Sequence, residues 1–138
     1  PVSLQIRRVR YYTANVADRI GSAYQVLSEL AKSDTNLLAF SCIPVGPSNL
    51  QVTLFPDEPE QLERQSNSMG MTLLPPQDAF LVQGDDKIGV LADVHRRLYD
   101  AKVDVYAANG VTDASGRFGY VIYVRPDDYE RAAGILEC

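Results

Sequence analysis

The four residues Asp18-Arg-Ile-Gly21 return 68 positions later as Asp86-Lys-Ile-Gly89. Self-similarity at a fixed offset constrains a fold more than any single element, because each copy must form the same supersecondary unit. At that offset Val26 meets Val94, Leu30 meets Leu98 and Ala39 meets Ala107, with no gap. The chain therefore reads as an internal duplication of one small α/β unit.

Local patterns agree between the copies. A β-rich segment precedes each turn, Val9-Arg-Tyr-Tyr-Thr-Ala-Asn15 in one and Ala79-Phe-Leu-Val-Gln83 in the other. After the turn, Ile20, Tyr24, Leu27 and Leu30 form a one-sided helical stripe, as do Leu91, Val94, Leu98 and Ala101. Residues 37–43 and 50–55 flank a Gly/Pro-rich connection and predict a hairpin. Residues 103–108 and 118–124 predict a second, with Gly116 suited to a positive φ in its loop. A short helix follows each hairpin, opened by Pro56-Asp57-Glu58-Pro59 and by Pro126-Asp127-Asp128. Met71-Thr-Leu-Leu74 is expected as a fourth strand, and Pro75-Pro76 as the joint between units.

This order predicts an α+β, ferredoxin-like βαββαβ plan: two tandem units, 1–74 and 75–138, each with an antiparallel four-stranded sheet under two helices. The second copy reaches Leu136-Glu-Cys138 where its fourth strand would begin. The chain is then either truncated there or completed by another segment, for which Pro1 to Ile6 is the candidate. In residues 118–124, Phe118, Tyr120, Ile122 and Val124 alternate with the equally nonpolar Gly119, Val121 and Tyr123. A strand apolar on both sides needs cover on both, from the other unit or from another chain, and a homodimer is expected on that ground.

Composition narrows the function classes. Hydrophobic residues make up 46% and charged ones 22%, the balance of a folded soluble chain. With no long uncharged run and no apolar leader, no membrane role is expected, and a cytoplasmic location follows by default. A net charge of −5 repels a phosphate backbone, and the basic Arg7, Arg8 and Arg10 alternate across one strand, so nucleic acid is not expected as a partner. Cys42 and Cys138 show no ligand spacing, and His95 is the single His. Neither a metal site nor a disulfide framework is predicted. His95 has no nucleophile or orienting partner in sequence, there is no phosphate-binding Gly-rich loop, and no cofactor or enzymatic activity is expected.

The doubled unit, with Asp-x-Ile-Gly opening its first helix, resembles a tandem pair of ACT domains over nearly the whole chain. The second copy carries the resemblance best: Gly84-Asp-Asp-Lys-Ile-Gly-Val-Leu-Ala-Asp-Val94 is similar to the family's Asp/Asn-x-Pro-Gly-Val-Leu opening, followed by Leu98 and Val103-Asp-Val105. The first copy departs further, with Ser22-Ala23-Tyr24 in place of Val-Leu-Ala, though Thr35-Asn36-Leu37 resembles Val-Asn-Ile. Ile20 and Ile88 stand where the family commonly has Pro.

The resemblance implies a non-catalytic regulatory protein that binds a small molecule, an amino acid first, at an interface of paired units, and acts on a separate protein partner. The implied ligand residues are Asp86, Lys87, Ile88, Gly89, Val90 and Asp104, and in the first copy Asp18, Ile20, Gly21 and Asn36. Backbone N–H groups at the start of a helix favour a carboxylate. Structural roles stand beside these: Asp18 and Asp86 as helix N-caps, Gly21 and Gly89 for close helix packing, Asn36 and Asp104 as turn residues. The rival function is a protein–protein assembly module with a vestigial ligand pocket.

Overall fold

In the computed structural model, which describes residues 4–138, the chain runs β1 (Gln5–Ala17), α1 (Ser22–Lys32), β2 (Leu37–Val45), β3 (Asn49–Pro56), α2 (Pro59–Gln65), β4 (Gln77–Asp85), α3 (Val90–Asp100), β5 (Val105–Thr112), β6 (Arg117–Val124) and α4 (Tyr129–Leu136). Helices α1 and α3 are each 11 residues long and begin 68 positions apart. The same offset governs strand pairing. Tyr12 faces Leu54 as Phe80 faces Ile122, and Ala14 faces Val52 as Val82 faces Tyr120. In the hairpins Cys42 faces Val52 as Gly110 faces Tyr120, and each ladder is interrupted at one place, Leu37/Ala39 and Val105/Ala107. The duplication is thus one of geometry as well as of motif.

Both helices start and stop by the same devices. Gly21 (φ 89°) and Gly89 (φ 86°) occupy the N-cap in the left-handed conformation, and no side chain caps either helix. This corrects the expectation that Asp18 and Asp86 cap them. A Cβ built on either glycine meets nothing within 4 Å, so the positive φ is what requires glycine, rather than close packing. At the other end, Asp34 (φ 56°) and Lys102 (φ 60°) turn left-handed. Thr35 N–H then donates to Leu30 C=O and Val103 N–H to Leu98 C=O, both at 2.9 Å, closing a Schellman motif in each copy.

The chain divides into two compact units, residues 10–77 and residues 78–138 with the N-terminal stretch to Val9. In the unit 10–77 the strand order is β2-β3-β1, antiparallel throughout. Its core joins Tyr12, Val26, Leu30, Val52, Leu54 and Leu62. The Tyr12 hydroxyl donates to Glu63, and burial with that carboxylate pushes the phenol up to about 12. The buried face of α1 is Ser22, Val26 and Leu30, one helical repeat apart, rather than the expected stripe. Ile20 lies ahead of the helix and is fully exposed, and Tyr24 is 74% exposed.

Residues 71–74 do not form the expected fourth strand. Met71 and Leu73 still pack on the core, and Leu74 N–H donates to Thr13 C=O at 2.8 Å. The following Pro75-Pro76 has no N–H to continue a ladder.

In the other unit β6 lies between β4 and β5, antiparallel to both, and β1 borders β4. The first residues of β1 thus occupy the edge that a fourth strand would fill, with Leu4 and Ile6 packed against the core. Residues 1–3 of the stretch considered for that edge lie outside the described residues. Among the described residues six strands run in the order β2-β3-β1-β4-β6-β5, where two four-stranded sheets were expected. One 13-residue strand is long enough to serve in both units, which no local pattern announces.

The core of this unit gathers Phe80, Val82, Val94, Leu98, Ile122 and Ala133. Tyr129 stacks on Phe80 at 4.5 Å and donates its hydroxyl to Ala79 C=O at 2.9 Å, and burial raises its pKa. The two-sided character of β6 is visible too: Ile122 and Val124 enter this core, while Val121 and its partner Leu81, on the opposite face, are 7% and 4% exposed.

The Thr35 hydroxyl is buried with no hydrogen-bond partner among the described residues, at the position where the second copy has the buried Val103. Because removing an unsatisfied buried polar group at constant shape is favourable, Thr35→Val is expected to raise stability by about 1 kcal/mol, read from the urea midpoint at unchanged m-value.

Candidate functional site

The turn from β4 into α3 is fastened to the tip of the β5–β6 hairpin. Asp86 N–H donates to Gly116 C=O at 2.8 Å, and Arg117 pairs with Asp85 at 2.9 Å. The tip holds itself in shape. Asp113 Oδ1 accepts from the Ser115 hydroxyl at 2.6 Å, from Ser115 N–H at 2.8 Å and from Arg117 N–H at 3.1 Å. Those bonds, the Ser115 hydroxyl first, hold the Asp113 carboxyl below its usual range. In the first copy Asp18 N–H makes the equivalent bond to Ser48 C=O, at 2.9 Å.

Behind this latch lies a cleft of about 640 Å³, lined by residues 86–92, 110–112 and 118–120. That volume is within the ~300–1,000 Å³ range of small-molecule pockets. Five predicted residues, Asp86, Lys87, Ile88, Gly89 and Val90, line it together. The N-terminus of α3 opens onto it, and the first N–H groups of a helix lack intrahelical partners. Its walls are mainly apolar, from Ile88, Val90, Leu91, Val111, Phe118 and Tyr120.

The structure does not bring Asp104 to this place. It follows α3, about 16 Å along the helix from the turn at 1.5 Å per residue, and pairs with Arg125 at 3.4 Å. Asn36 is placed likewise in the first copy, its amide donating to Asp57 at 3.4 Å. Asp57 and Arg125 are themselves equivalent under the offset, so this pair serves the same end of each unit.

In the first copy a cavity of about 460 Å³ lies elsewhere, against the face of α1 formed by Ser22, Gln25 and Glu29, with Met69 and Met71. Asp18, Ile20 and Gly21 do not line it. At the position of Gly110 stands Cys42, and at that of Tyr120 stands Val52. Val52 is fully buried and Cys42 packs against the same core. The pair that borders the cleft in one copy is core in the other.

Sequence reasoning missed Gly110 and the His95–Tyr120 pair. His95 Nε2 and Tyr120 Oη are 2.8 Å apart, with the rings edge to face at 5.7 Å. A Cβ built on Gly110 would stand 2.4 Å from Tyr120 Cδ1. A glycine in the middle of a strand was the available signal, since it marks a close approach there.

Among the described residues no group of His, Cys, Asp or Glu is arranged to hold a metal, and no helix is long and apolar enough to cross a membrane. Repeated β-α-β-β units with a shared long strand give the chain the fold of a tandem ACT protein. Among solved structures it is similar to protein BT0572 from Bacteroides thetaiotaomicron (TM-score 0.80, 14% identity, covering 96% of this chain and 88% of that one). It is also similar to the regulatory subunit of aspartate kinase from Thermus thermophilus, in its ligand-free form (TM-score 0.60, 16% identity, 99% and 94%). A third is E. coli aspartokinase III in complex with lysine and aspartate (TM-score 0.50, 18% identity, 94% of this chain and 30% of that one). No family model and no curated protein sequence matches the chain.

Proposed function

We propose that this chain is a non-catalytic regulatory protein that binds an amino acid in the cleft between the β4–α3 turn and the β5–β6 hairpin. The observation that carries the reading is that five residues expected at a ligand site line one cavity of about 640 Å³ at the start of an 11-residue helix. In this reading the ligand carboxylate meets N–H groups in the first turn of α3 beyond that of Val90, which donates to Lys87 C=O at 3.2 Å. The helix dipole favours the carboxylate there, and Asp86 accepts from the α-ammonium. Gly89 keeps the approach to the turn clear. Two of the structural neighbours support the class, one being a regulatory subunit and another a complex with lysine and aspartate.

The proposal includes a homodimer and a separate regulated protein. The exposed apolar Ile20, Tyr24 and Leu27 on the first copy supply surface for such contacts.

Calorimetry and thermal shift of the full chain against each of the twenty amino acids at millimolar concentration test the reading. Heat and a raised Tm are expected for at least one, and Asp86→Ala abolishes that signal while leaving stability within about 0.5 kcal/mol, because Asp86 does not cap the helix. Silence from all twenty would remove amino acids as the ligand class.

A further inference from the structure

Resting on that reading, we infer that the cleft selects an amino acid with an uncharged, apolar side chain, and that the Tyr120 ring, set by Gly110 and His95, determines this selectivity. Three observations on the cavity walls carry it.

First, among the described residues the only charged ones lining the cleft are Asp86 and Lys87, both exposed on the turn. If the turn takes the ligand's carboxylate and ammonium, the opposite wall meets its side chain. That wall is residues 110–112 and 118–120, with Val111, Phe118 and Tyr120 among them and no charged group. The nearest charges on the hairpin are already committed: Arg117 pairs with Asp85, and Asp113 is bonded within the tip. A charged side chain seated there would give up water without gaining a partner, which weakens its binding by about tenfold or more.

Second, the Tyr120 hydroxyl is engaged by His95 at 2.8 Å. The residue therefore offers the cleft its ring rather than a free polar group. Third, the ring occupies the place where any side chain at position 110 would stand, 2.4 Å from a built Cβ. The ring position thus depends on glycine there. Equivalent positions in the first copy are Cys42, Val52 and Leu27. Neither the His–Tyr pair nor the glycine beside the ring recurs there, so selectivity set by the ring belongs to the second copy alone.

Calorimetry with leucine, phenylalanine, lysine and aspartate, on the unaltered full chain and on Gly110→Ala, tests this. Leucine or phenylalanine is expected to bind at least about tenfold more tightly than lysine and aspartate, and Gly110→Ala, by displacing the ring, to narrow that ratio about tenfold. Should Gly110→Ala lose its circular dichroism signal, Tyr120→Leu takes its place, with the phenylalanine-to-leucine affinity ratio as readout: a change supports the role of the ring, and an unchanged ratio overturns it. Equal or tighter binding of lysine or aspartate overturns the apolar class while leaving the amino-acid reading intact. No heat from any of the twenty amino acids overturns both.

Discussion

Phe80→Ala is expected to cost about 3–5 kcal/mol, enough to unfold a large fraction of a marginally stable domain. Phe80 is fully buried, lies opposite Ile122 across β4 and β6, and stacks at 4.5 Å on Tyr129. Its removal deletes an aromatic pair and leaves a void that α3 and α4 cannot easily close, since Ala132, Ala133 and Leu98 are already at 0% exposure. Chemical denaturation followed by circular dichroism reads the loss as a lower midpoint. A change under about 1 kcal/mol would show that the core is not organised about this ring.

The second large effect separates the copies. Gly21 and Gly89 have φ values of 89° and 86° and open space where a Cβ would stand. The cost of Gly→Ala at either is therefore dihedral, about 1–2 kcal/mol, and equal in the two copies. Binding responds differently. Gly89→Ala distorts the turn that lines the cleft and is expected to weaken the ligand by about tenfold or more, whereas Gly21→Ala leaves affinity unchanged. Calorimetry on the two variants measures both effects, and an equal loss of affinity from Gly21→Ala would place the ligand on the first copy as well.

Much of this molecule was legible in the sequence because its elements are set locally. Hairpins announced by Gly/Pro loops formed, and the offset of the Asp-x-Ile-Gly motif reappears as a strand register that pairs Tyr12 with Leu54 and Phe80 with Ile122. Periodicity failed where an apolar residue sits beside a helix rather than in it. Ile20 continues the spacing of Leu27 and Leu30 but precedes α1 and is exposed. An aspartate ahead of a helix looks like a cap, yet a left-handed glycine three residues later takes that position and leaves its carboxylate without the role. Sharing of one long strand is a tertiary arrangement, and the edge it fills is read only from the sheet.

The candidate site divides the same way. Residues 86–90 are contiguous and belong to one motif, so their joint placement on the cleft was foreseeable. Tyr120 and His95 are 25 positions apart, and Gly110 matters only because hairpin register sets it beside Tyr120. Asp104, by contrast, is near in sequence to α3 but on the far side of it.

In the proposed function the duplicated unit carries its ligand site in the second copy alone. Backbone amide shifts, followed by heteronuclear NMR as leucine or phenylalanine is titrated into the full chain, test it most directly. Saturable changes concentrated at residues 86–92, 110–112 and 118–120, with residues 18–24 and 42–52 unmoved, are the predicted result. Equal changes at both turns, or changes confined to residues 18–24, would contradict it.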